Sequence, residues 1–148
     1  MKPNITAEVI TMQKRYYEWS MLVLRVALGV IFLAHGIQKI SGFDGILKFF
    51  SSIGLPVAVA YMVTAIETVG GAFLILGLFT RLSAVGISAV LLGSIFTVML
   101  SKGFVGGYDF NISLLAAAVA LILSGSNTLS LGSLISATKH PAQSKKGA

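Results

Sequence analysis

Apolar residues in this chain run in long unbroken blocks, and polar residues gather between them and at the two ends. Four blocks, at about 19–40, 56–79, 82–100 and 108–124, each fall within the roughly 17–25 residues that a membrane-crossing helix uses. Between the first two lies DGILKFFSSIGLP, residues 44–56, with Ile46, Phe49, Phe50 and Ile53 at i, i+3, i+4 and i+7. That spacing predicts a short amphipathic helix that lies at the interface because it is too short to span. Gly54 is placed to stop it, and Pro56 suits the first turn of the next helix. Thr80 and Arg81 form a short turn, and SKGFVGGYDFN at 101–111 is a glycine-rich connection. Small residues Ser83, Gly86, Gly93 and Thr97 on the third block, and Ser113, Ala117, Ala120 and Ser124 on the fourth, predict seams of close helix packing. The expected fold is an all-α integral membrane four-helix bundle with an interfacial helix between spans one and two.

Composition agrees with that class. The 148 residues are 55% hydrophobic and 11% charged, with mean hydropathy +0.90, against about 25% charged residues in a soluble domain. One membrane domain at 16–131 is expected, between a polar arm at 1–15 and a basic tail at 132–148. Lys14 and Arg15 before an apolar run resemble a signal peptide, but the run is too long and lacks a small-x-small cleavage site, which favours an uncleaved span. The net charge of +6 does not point to nucleic acid, because the basic residues flank apolar blocks instead of forming a face with aromatics between them. Lys2, Lys14, Arg15, Arg81, Lys139, Lys145 and Lys146 fall on the side of the termini, and Lys39, Lys48 and Lys102 on the other. That bias predicts a multi-pass protein with both termini in the cytoplasm. With no cysteine in the chain, disulfide, thiolate-metal and dithiol chemistry are excluded, so any redox role needs a bound cofactor or substrate.

Ionisable residues inside the blocks carry the functional question, since each is costly in hydrocarbon unless it faces protein or water. Counted from the Tyr17 boundary, Arg25 is about 12 Å deep; counted from Pro56, Glu67 is about 16 Å deep from the opposite side, which brings the two to nearly one depth. An ion pair that fixes the rotation of the two helices is the simplest reading, and a proton-carrying or ligand-binding Glu67 is the alternative. His35, Gln38 and Lys39 come near the outer surface, at the level where Asp109 and Asn111 begin the fourth span. They either wet their tips at the interface or converge on a group able to hold a proton or a quinone carbonyl. A bis-histidine haem is excluded because the second histidine, His140, lies in the tail; a metal centre lacks enough ligands, and no phosphate loop is present.

The stretches VLRVALGVIFLAHGIQKISGF, GLP at 54–56, AIETVGGAFLILGLFTR at 65–81 and GGYDFNISLLAAAVALILSGSNTLSL at 106–131 resemble, in order and spacing, the DoxX family of small bacterial membrane proteins. The resemblance covers about residues 22–131 and is strongest to an oxidoreductase subgroup associated with catechol and hydroquinone stress. It implies a four-helix bundle in the cytoplasmic membrane and a link to quinone or thiol redox chemistry. Arg25, His35-Gly36, Lys39 and Glu67 match family positions; the family's usual Glu in the fourth span is Asp109 here, and its Gly-Pro-Gly is Gly125-Ser126-Asn127. Two functions follow as expectations. One is a redox protein or redox-complex subunit using His35, Glu67 and Asp109 for proton chemistry and Arg25, Gln38, Lys39 and Asn111 for binding. Nothing in the chain holds a flavin or nicotinamide, so a partner protein would supply the electrons to a quinone-type compound. The other is a non-enzymatic scaffold, or a small carrier of protons or aromatic compounds working through Glu67.

Overall fold

The computed structural model describes residues 5–125; the basic tail therefore lies outside the described residues. All regular structure there is helical: α1 (Ile5–Ser41), α2 (Phe43–Ser52), α3 (Val57–Leu76), α4 (Thr80–Ser94) and α5 (Asp109–Ser124). Beyond Ser94 the third span continues through a wide turn at Ile95–Met99 and a tight one at Leu100–Lys102. The fourth is entered through Phe104–Tyr108, where Val105 (ψ 120°) and Gly106 (φ 76°) break the helical path. Four segments, Glu8–Ser41, Val57–Leu76, Thr80–Lys102 and Phe104–Ser124, are long and apolar enough to cross a membrane.

Glycine ends α2 and α3, at Gly54 as expected and at Gly77 earlier than expected. Gly77 adopts φ 72°, its N–H donates to Leu74 O and that of Leu78 to Phe73 O, a left-handed cap that satisfies the last carbonyls of α3. It stops span two three residues before the expected end at 79. Gly54 (φ 76°) closes α2 in the same way, through bonds to Ser51 O and Phe50 O. Pro56 sits just outside α3, as its N-cap. The amphipathic stretch forms α2 as expected; its apolar side turns Phe50 inward, and the Phe43 ring meets Tyr61 of α3 at 4.7 Å.

Each span contributes one stripe to a shared core: Leu28 and Phe32 from α1, Leu74 from α3, Ala84, Ile87 and Leu91 from α4, Ala118 and Leu121 from α5. Large residues on the opposite faces, among them Val23, Val30, Tyr61, Val69, Val85, Phe96 and Leu123, stand exposed, as suits a surface bathed in lipid. The tightest packing is between α1 and α3. A Cβ built on Gly71 would lie 2.5 Å from Leu33 N and 2.8 Å from Gly29 O, and one on Gly36 would lie 2.7 Å from Thr68 N. At Gly71 backbone meets backbone, while Gly29 and Gly36 make room for the Ile75 and Thr68 side chains as well as their backbone.

The small-residue stripe expected on the third span is only half right. Ser83 is buried and Gly86 faces Ile66, but Gly93 meets nothing within 4 Å and Thr97 is exposed. On the fourth, Ala117 packs on the core while Ser113 is exposed; the buried positions are Ala118 and Leu121. Small residues on those faces border lipid as readily as another helix, so their spacing alone did not choose between the two.

Candidate functional site

The α1–α3 seam fixes which residues of the two helices share a level. Gly29 lies against Gly71 and Ile75, and Gly36 against Thr68, an antiparallel register that sets Glu67 opposite Ile37 and Arg25 opposite the end of α3 near Phe79. Along the helix axis Arg25 and Glu67 are therefore separated by about 18 Å. Glu67 makes its ion pair with Lys39, whose Nζ donates to Oε2. The expected Arg25–Glu67 pair is thus corrected: counting depth from Tyr17 and Pro56 treated both as boundaries of equal standing. Instead α3 begins well beyond the level where α1 ends, and α1 runs on past α3 at the other end.

Lys39 consequently turns inward instead of snorkelling. Glu67 is only 4% exposed, while the Lys39 side chain keeps 21% of its surface, so the ammonium stands at the rim and the carboxylate behind it. Two threonines flank Glu67 on α3, but their hydroxyls are turned to their own helix: Thr64 Oγ1 donates to Ala60 O at 2.8 Å and Thr68 Oγ1 to Thr64 O at 2.7 Å. They add no competing donor to the carboxylate.

His35 lies one turn before Lys39 on α1, exposed, with Nδ1 2.8 Å from Ile31 O. A carbonyl can only accept, so Nδ1 donates in this bond and Nε2 is left for another partner. Gln38 is exposed beside Lys39. The structure thus groups His35, Gln38, Lys39 and Glu67 within about two turns at one end of the bundle, and separates the remaining candidates from them.

Asp109 binds its own turn: Oδ2 accepts from Gly106 N–H at 3.3 Å and Oδ1 from Phe110 N–H at 2.9 Å. Asn111 Nδ2 reaches Ser94 Oγ on α4 at 3.4 Å. Carried through the α3–α4 contact of Gly86 with Ile66 and this Asn111–Ser94 bond, the register puts Asp109 about 15 Å further along the bundle than Glu67. Arg25, 4% exposed, is at the opposite end. No group of three or more His, Asp or Glu residues able to hold a metal occurs among the described residues. What the sequence reading missed is the Lys39–Glu67 partnership; Gly29, Gly36 and Gly71, spaced to bring two helices together, were the signal that could have set the register.

A multi-pass helical membrane protein with an ion pair inside its spans is the class these features define. The chain belongs to the DoxX family, whose model matches residues 20–100. It is 43% identical to "Putative oxidoreductase CatD" of Bacillus subtilis, with 78% of this chain and 86% of that protein covered. It is also 32% identical to inner membrane protein YphA of Escherichia coli over 48% of this chain and 56% of that one. With uncharacterized membrane protein Rv3486 of Mycobacterium tuberculosis it shares 30% identity over 76% and 78% of the two chains. No solved structure matches it.

Proposed function

We propose that the protein is a redox protein of the cell membrane, or a subunit of a redox complex, that binds a quinone- or catechol-type ring at the Lys39–Glu67 end of the bundle. The observation that carries this reading is the buried carboxylate with an ammonium at its rim and an imidazole one turn away. Lys39 can donate to a ring oxygen, Glu67 can accept from a ring hydroxyl, and Nε2 of His35 can take up or release the proton that accompanies reduction. Reducing a quinone to a quinol takes two electrons and two protons. The side chains here handle protons only, so a partner protein supplies the electrons. CatD's name supports the reaction class.

The test is thermal protection of the purified protein by a short-chain ubiquinone analogue in mild detergent. Protection is expected for wild type and lost in Lys39→Met and His35→Ala; unchanged protection in both variants would remove the site. A second reading, a carrier of protons or aromatic compounds, is favoured by the same carboxylate inside a span. Proteoliposomes loaded with a pH-sensitive dye separate the two, because only a carrier acidifies the lumen without an electron donor. Under either reading the excess of Lys and Arg on the side of the termini supports a cytoplasmic location for both.

A further inference from the structure

Apolar side chains on the outer side of α1 repeat with the period of a coiled coil, alternating steps of three and four. Val9, Met12, Tyr16, Trp19, Val23 and Val30 follow that rule, with Val26 completing it between the last two, and these six are 47–66% exposed. The stripe is turned away from the bundle: at about 100° per residue, Val30 lies about 160° round the helix from core residue Phe32. Beside it Ser20, Ala27 and Ala34, seven residues apart, are small and exposed. Tyr16, Trp19, Ser20 and Val23, at i, i+3, i+4 and i+7, line an open groove of about 500 Å³ with Leu24 and Ala27. Four residues at that spacing form the hole that receives a knob from a facing helix.

Lipid covers only part of this stripe. The apolar block begins at Trp19, and Met12 and Val9 are about 10 and 15 Å further along the helix, past a headgroup layer about 6 Å deep. Every residue from Glu8 to Tyr17 is exposed, and a lone helix that short is marginal in water. We propose that the stripe is the seam of a parallel homodimer, covered by α1 of a second copy. Two copies in one membrane share an orientation, so their α1 helices pair in parallel and in register. Trp19 of one copy then enters the groove of the other, where Ser20 leaves room for the indole. The flanking charges agree with that register: Glu8 of one copy falls beside Gln13 of the other and Arg15 beside Ser20, so like charges do not meet. The exposed parts of the six side chains come to about 700 Å² per copy, and the resulting total of about 1,400 Å² is within the range of stable interfaces. The stripe drifts about 20° per seven residues, which a left-handed supercoil absorbs. None of this depends on the redox reading of the Lys39–Glu67 end.

The absence of native cysteine makes the test direct. In vesicles of phosphatidylethanolamine and phosphatidylglycerol treated with a copper–phenanthroline oxidant, Val9→Cys and Met12→Cys should each form a disulfide-linked dimer. Lys14→Cys, on the far side of the helix, should link about tenfold more slowly, because its two Cα atoms lie too far apart to bridge. Sedimentation equilibrium in mild detergent should show monomer and dimer, with a dissociation constant raised about tenfold or more by Ser20→Phe, which fills the groove. Met12→Glu, outside the hydrocarbon, should weaken the dimer similarly by setting two carboxylates side by side, and both variants should keep wild-type helicity because neither residue packs on the bundle. A monomer at every concentration, equal linkage at Val9 and Lys14, or a dissociation constant unchanged in both variants overturns the proposal. So does linkage of Met12→Cys in native membranes to a different protein in place of the same chain.

Discussion

Alanine at Gly71 tests the packing that everything else in the bundle depends on. Its added methyl would meet Leu33 N at 2.5 Å, Gly29 O at 2.8 Å and Leu33 Cα at 3.0 Å. All three are backbone atoms, so no side chain can rotate away and α1 must move from α3 by about 1 Å. A gap of that size forfeits a quarter to a half of the dispersion well for each contact it opens, along the most extensive interface of the bundle. Overpacking penalties of about 1–3 kcal/mol are usual, and a backbone-on-backbone clash belongs at the upper end. About 3 kcal/mol corresponds to a loss on the order of 10 °C in Tm for a chain of this size. Far-UV circular dichroism melts in mild detergent provide the assay, with Gly93→Ala as the control. Gly93 is helical and meets nothing within 4 Å, so alanine there should be neutral or stabilise by up to about 1 kcal/mol through helix propensity. A Gly71→Ala protein that melts within about 2 °C of wild type, or a Gly93→Ala protein that is equally damaged, would refute the close-contact account of the seam.

Other expectations follow from single contacts. Glu67→Gln and Lys39→Met should each destabilise by about 2–4 kcal/mol, because each strands a partner inside the bundle, while the double variant recovers part of the loss; additive losses in denaturation curves would count against direct pairing. Arg25→Gln combined with Glu67→Gln should show additive losses, since about 18 Å separates the two levels. Gly77→Ala should cost about 1 kcal/mol, the strain of a left-handed φ at a residue with a Cβ, seen as a lower midpoint with unchanged helicity. The absence of native cysteine makes orientation directly testable: a lone cysteine at Thr11 and another at Ser124 should be labelled from the same side of sealed vesicles, and opposite labelling would rule out the even number of crossings.

The spans and the short helix were legible because unbroken apolar blocks and the 46, 49, 50, 53 spacing depend only on local periodicity. The cap at Gly54 was legible for a related reason, since a left-handed turn needs glycine whatever packs around it; the one at Gly77 was passed over because the apolar block runs on through Phe79. The site was less so. Which ionisable groups meet depends on how far one helix is shifted along its neighbour, and that shift is set by Gly29, Gly36 and Gly71, whose effect lies in the side chains they lack. Counting from membrane boundaries missed it by twelve residues' worth of rise, enough to give Glu67 the wrong partner and to leave Lys39 looking outward. Asp109 was misplaced relative to His35 by the same reasoning, since it starts a span whose first turns rise beyond the end of α1.

The unbroken length of α1 has a mechanical side. Its 37 residues make a rod of about 55 Å, gripped at Gly29, Leu33 and Gly36 against α3. That grip lies near one end, about 9 Å from Lys39 and about 42 Å from Ile5. Arg25 and Leu28 are held in the bundle as well, so the helix is a lever with unequal arms, the longer being the roughly 30 Å from Ile5 to Arg25. A tilt of α1 at the Lys39 end would reappear enlarged at the Ile5 end, where a protein grasping the long arm could sense it.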